Sequence, residues 1–143
     1  MMKKHVYGDE AYYKITWSPL YQYEKYSAGR ILPEMAGILC LQERDCPGEG
    51  IIFFYGCWRS GCRIGLKNLL DDMISPNPFL RDSIDTEKLY YRYTVIDTCY
   101  QDLQDVLYWL TRTYQPPMND HENFRDSQRY SGISVAENVR PGE

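Results

Sequence analysis

Two short apolar runs, Ala36-Gly37-Ile38-Leu39-Cys40-Leu41 and Ile51-Ile52-Phe53-Phe54-Tyr55-Gly56, stand close together in a mostly polar chain. Runs of about six apolar residues bounded by Gly, Pro and Asp read as buried strands. The interval Gln42 to Gly50 contains Asp45-Cys46-Pro47-Gly48, and Pro-Gly marks a tight turn, so the two runs form a hairpin. A helix over about Arg63 to Ile74 follows, with Leu66, Leu69, Leu70 and Met73 recurring at three- and four-residue spacing. Ser75-Pro76-Asn77-Pro78 ends it.

From Leu89 to Ile96 the chain alternates again, with Leu89, Tyr91, Tyr93 and Val95 on one face and Tyr90, Arg92, Thr94 and Ile96 on the other. Its β-branched and aromatic content supports a strand. A second helix comes next, with Thr98 and Gln101 at capping-box spacing and an apolar stripe of Leu103, Val106, Leu107, Leu110 and Tyr114. Pro116-Pro117 closes it. Upstream, Ala11 to Trp17 alternates as a strand with Tyr13, Ile15 and Trp17 on one face, and Ser18-Pro19 stops it. The Tyr-rich stretch Leu20 to Ile31 has room for a short helix around Tyr23, Tyr26 and Ser27, limited by Gly29, and Leu32-Pro33-Glu34 turns the chain into the hairpin. Residues 1–10 read as a polar lead-in and residues 118–143 as an irregular polar tail. The expected fold is therefore α+β. A small antiparallel three-stranded sheet (hairpin, helix, strand, helix) carries an added N-terminal strand, all within one domain at residues 11–117.

Composition adjusts this picture in three ways. A chain of 143 residues is long enough for one buried core. Its 14 Tyr bring large rings whose hydroxyls need partners, which suits a binding surface as well as an ordinary core edge. The net charge of −4 lacks the basic excess of a domain that lives on phosphate contacts, so any nucleic-acid contact must be a local patch. Neither a signal-peptide layout nor a run of about 18 apolar residues is present, and the expectation is a cytoplasmic protein with no membrane role. Five Cys without a secretory signal read as reduced thiols. Cys46, Cys57 and Cys62 lack zinc-knuckle spacing, and His5 and His121 are far from them, so no metal site is assigned.

Gly37-Ile38-Leu39 and Phe54-Tyr55-Gly56 stand where the GIY-YIG nuclease family carries the two tripeptides that name it. The chain resembles that family further in Trp17-Ser18-Pro19-Leu20-Tyr21, similar to the lead-in of some bacterial members. The strand between the two helices and the ending Tyr114-Gln115-Pro116-Pro117-Met118-Asn119 add to the likeness. The likeness spans about Trp17 to Asn119 and implies a nuclease scaffold. In that family one Glu holds a divalent cation, and tyrosines with an Arg line the scissile phosphate. At the matching positions this chain has Leu39 and Phe54 in place of the tyrosines, Ile64 in place of Arg, and Leu107 in place of Glu. Arg63, one residue early, is the remnant that a shifted loop would bring into place. An aliphatic chain offers no oxygen to a hard cation. Asp105 is a poor substitute, pointing about 200° from Leu107 on a helix.

The resemblance therefore implies a catalytically degenerate GIY-YIG-like domain that binds rather than cuts, with nucleic acid or a protein as partner and no cofactor. Its expected binding residues are Tyr55, Trp58, Arg59, Arg63, Lys67 and Asn119, with Arg59, Arg63 and Lys67 as a basic stripe beside two stacking aromatics. An active, divergent endonuclease using Mg2+ or Mn2+ is one alternative, and an unrelated small α+β subunit or regulator is another. The geometry that separates them is whether Leu107, Leu39, Phe54 and Arg63 surround one concave patch.

Overall fold

The computed structural model describes residues 2–43, 50–71, 82, 84–120 and 124–141. Strand β2 (Glu10–Trp17) has the alternation its sequence predicts, with Ala11, Tyr13, Ile15 and Trp17 buried and the residues between them exposed or half-buried. It lies at the centre of a three-stranded sheet, antiparallel to β1 (Lys3–Tyr7) and parallel to β7 (Gly132–Val139). Two expectations are corrected here. The polar lead-in contains a strand, and so does the tail expected to be irregular. Strand β1 has no buried residue and β7 only Val135, so neither shows the hydrophobic alternation that marks a half-buried strand.

The expected three-stranded sheet has a fourth member. Its order is β3 (Tyr21–Gln22), β6 (Leu89–Val95), β4 (Gly37–Glu43) and β5 (Ile51–Cys57), every pair antiparallel. Where the chain leaves β2, the Ser18 amide donates to the Tyr93 carbonyl (2.8 Å) and the Tyr93 amide to Ser18 Oγ (3.0 Å), stitching β2's end to β6. Along β4 the side chains divide cleanly. Leu39 and Leu41 enter one apolar cluster, and Ile38 and Cys40 enter another on the opposite face.

Helices α1 (Lys25–Ile31) and α2 (Gly61–Leu69) cover the first face, where Leu32, Leu66, Leu69, Leu89 and Tyr91 pack with Leu39 and Leu41. Gly29, expected to limit α1, lies inside it. Helix α3 (Tyr100–Tyr114) and the three-stranded sheet cover the other face, bringing Leu103, Val106, Leu110, Ile15 and Trp17 onto Ile38, Cys40 and Phe54. The described residues thus form a mixed α+β structure of three helices and two sheets. The expected capping box is absent. Cys99 is the N-cap with no side-chain cap, and Thr98 Oγ1 donates instead to Asp102 Oδ2 at 2.7 Å. Helix α2 ends at Leu69 with Leu70 as its C-cap, short of the expected end near Ile74. The expected Asp45-Cys46-Pro47-Gly48 turn, Met73, the Ser75-Pro76-Asn77-Pro78 stop and His121 lie outside the described residues.

Backbone hydrogen bonds hold the start of α2. Its first amide groups, on Cys62 and Arg63, donate to the carbonyls of Met35 (3.1 Å) and Pro33 (3.0 Å). Gly61 makes this approach possible, with φ at +75° and a position where a Cβ would lie 1.9 Å from the Glu34 carbonyl oxygen. Gly61→Ala is therefore expected to destabilise the fold by about 2 kcal/mol or more, read as a lower urea midpoint with an unchanged slope.

Candidate functional site

The positions matched to the nuclease family do not share a patch. Leu39 is fully buried beneath α1 and α2, whereas Phe54 lies on the opposite face of the sheet. Leu107 packs on that second face, its Cδ2 3.2 Å from where a Gly56 Cβ would stand. Ile64 is half exposed on α2. Arg63 is occupied, donating from Nε to the Leu32 carbonyl (3.0 Å) and pairing through Nη1 with Glu34 (2.9 Å). The donor set at these positions does not fit a divalent cation, since Leu39, Phe54 and Leu107 carry no oxygen on their side chains. Among the described residues no group of three His, Cys, Asp or Glu side chains converges to hold a metal.

The expected binding residues fall into separate places. Arg59 precedes α2, so the single basic stripe on that helix is corrected to two surfaces. Tyr55, Trp58 and Arg59 line a shallow pocket of about 580 Å³ with Tyr100, whose ring meets Trp58 edge-on at 6.2 Å. Arg63 and Lys67 line a different groove of about 700 Å³ between α1 and α2, with Tyr23, Tyr26 and Leu70. Asn119 is buried and its amide is engaged with one backbone residue. It accepts from the Phe54 amide (2.7 Å) and donates to the Phe54 carbonyl (3.0 Å). With the Met118 amide donating to Ile52 (3.0 Å), this segment covers the outer edge of β5. Cys57 is buried, and a hydrogen bond with Cys62, then desolvation, push its thiol far up.

Sequence reasoning missed the most polar part of the interior. Asp102 and Asp105, three residues apart on α3, are buried against the three-stranded sheet. The Tyr13 hydroxyl donates to Asp105 Oδ2 at 2.7 Å and lies 3.2 Å from Asp102 Oδ1. Arg129 Nη2 bridges both carboxylates at 3.0 Å, and Lys4 Nζ reaches Asp102 at 2.8 Å. Ser127 completes Asp105 through its amide (2.7 Å) and hydroxyl (3.0 Å). Two negative and two positive groups balance. Burial alone would raise the Asp102 carboxyl, but hydrogen bonds from Lys4, Thr98 and Arg129 outweigh it and hold it well below the usual range. Burial, then the bond to Asp105, push the Tyr13 phenol far up. No spacing along the chain links Lys4, Tyr13, the α3 acids and Arg129, so periodicity could not find them. Also passed over were Arg92 and Glu137, which line one cavity between the sheets.

A family model described as "Uncharacterised protein" matches residues 1–141. The chain belongs to this family. The matched span takes in β1 and β7 as well as the central sheet. No curated protein and no solved structure matches the chain. Among the described residues, no helix is long and apolar enough to cross a membrane.

Two tests follow from the buried charges. Arg129→Met leaves Asp105 without its cation and is expected to destabilise the fold by about 3 kcal/mol in equilibrium unfolding. Because the Asp102 pKa is depressed by folding, its contribution is complete above the unfolded value of about 4 and is lost as pH falls toward the folded value. The stability gap between wild type and Asp102→Asn should therefore narrow as pH is lowered from about 5.

Proposed function

We infer that this chain is a catalytically inert binding domain built on a GIY-YIG-like scaffold. The succession of hairpin, α2, β6 and α3 supports the scaffold, since it is the succession that the resemblance implies. One observation carries the inert reading. Leu107 and Leu103 press on Gly56 where the resemblance calls for a cation-holding Glu, and nearby Asp105 is bound to Tyr13, Ser127 and Arg129.

The surface best suited to binding is the pocket of Tyr55, Trp58, Arg59 and Tyr100. It presents half-buried and exposed aromatic rings beside an exposed guanidinium, a combination that stacks on bases and holds a phosphate. Single-stranded nucleic acid is the ligand that matches this chemistry. A net charge of −4 keeps the contact local and makes it weak and salt-sensitive.

The expected result with supercoiled plasmid and Mg2+ or Mn2+ is no cleavage above a metal-free control. Metal-dependent nicking would overturn the inert reading. In fluorescence anisotropy at low salt, a labelled single-stranded oligonucleotide should bind, and Arg59→Ala with Trp58→Ala should abolish the signal. Equal binding by that double variant would remove this pocket from the function.

A further inference from the structure

On the face of the four-stranded sheet that looks toward the three-stranded one, Phe54, Cys40 and Arg92 form a row, because Cys40 pairs with Phe54 on β5 and with Arg92 on β6. Trp17 from β2, Tyr114 from α3 and Glu137 from β7 close over this row, and a cavity of about 420 Å³ remains between them. That volume lies within the roughly 300–1,000 Å³ range of small-molecule sites, and the junction of two layers is a common place for one.

The charges in this cavity are treated unequally. Glu137 is held on both oxygens, by the Trp17 indole N–H (2.7 Å) and the Tyr114 hydroxyl (2.5 Å). Among the described residues, Arg92 has no such partner. Its Nε is buried without a hydrogen bond, and none of the ion pairs among the described residues includes it. A buried, unpaired donor is costly, and folded proteins rarely keep one that serves nothing. A guanidinium presents a planar fork of donors that matches a carboxylate or a phosphate. Around it stand three aromatic rings, with Phe54 stacked on Trp17 at 6.2 Å and tilted against Tyr114 at 5.7 Å.

We propose that this cavity binds a small aromatic anion, its carboxylate or phosphate on Arg92 and its ring against Trp17, Phe54 and Tyr114. The fixed carboxylate of Glu137 disfavours a second negative group on the ligand and accepts from a hydroxyl or amino substituent. The site is separate from the Trp58 and Arg59 pocket and stands or falls independently of nucleic-acid binding there.

Benzoate and phenyl phosphate, titrated separately into the intact protein, test both anionic groups, with the Trp17 indole N–H followed in proton–nitrogen correlation spectra. Trp17→Phe assigns that peak. At least one probe should shift it saturably, and the tighter of the two identifies the preferred group. Arg92→Gln should bind at least about tenfold more weakly, and Arg92→Lys should lose less. Uncharged benzyl alcohol should bind the wild type far more weakly than benzoate. The proposal is overturned if neither anion saturates the shift, or if benzyl alcohol binds the wild type as tightly as both anions. Unchanged affinity in a folded Arg92→Gln would overturn it as well.

Discussion

Arg129 bridging Asp102 and Asp105 is the constraint on which the architecture turns. Charges are tolerated inside a protein only when paired and hydrogen-bonded, and here that requirement joins four parts of the chain. Lys4 comes from β1, Tyr13 from β2, the two acids from α3 and Arg129 from the approach to β7. Loss of Lys4, Tyr13 or Arg129 would take a hydrogen-bond donor from a buried carboxylate. The cluster therefore ties α3 to the three-stranded sheet, alongside the nonpolar packing of Leu103, Val106 and Leu110. That sheet in turn roofs the cavity at Arg92.

How much of this was legible depends on which force placed each element. Burial of apolar side chains leaves a period in the sequence, and the elements it governs were readable. Tyr13, Ile15 and Trp17 alternate and are at most 3% exposed, and Leu66 and Leu69 repeat along α2 and are at most 1% exposed. The elements held by backbone pairing to an existing strand left no such trace. Strand β1 is exposed on nearly every residue, and β3 has only two. Polar residues of the interior were hidden for a related reason. Arg92 sits at a strand position that reads as outward-facing until a second sheet is laid over it. Asp105 was seen to point away from Leu107, but what it points toward is supplied from 24 residues further on.

The same contrast separates the two sites proposed for ligands. The pocket at Trp58 and Arg59 is shallow, made by the end of β5, the loop that follows it and Tyr100 at the start of α3, and all of it but Tyr100 comes from one short segment. The cavity at Arg92 is assembled from five strands and a helix, and no short segment contains it. Neither depends on the family positions at Leu39 and Leu107, which are given over to packing. Both proposed sites are thus built from residues other than these two. Asn119, at the end of the likeness, illustrates the shift. Its amide completes the edge of β5 and blunts a row of backbone groups that would otherwise invite pairing with another chain.

The parallel pairing of β2 with β7 bears on how the chain is made. Residues 10–17 must wait for residues 132–139 before their second edge is satisfied. During synthesis from the N-terminus, the α3 acids Asp102 and Asp105 emerge with only Lys4 of their cationic partners in place, and Arg129 comes later. The nascent protein passes through a stage with an open sheet edge and surplus negative charge beside it. Such late, long-range closure slows folding, and the acidic surplus at that edge would discourage premature association between unfinished chains.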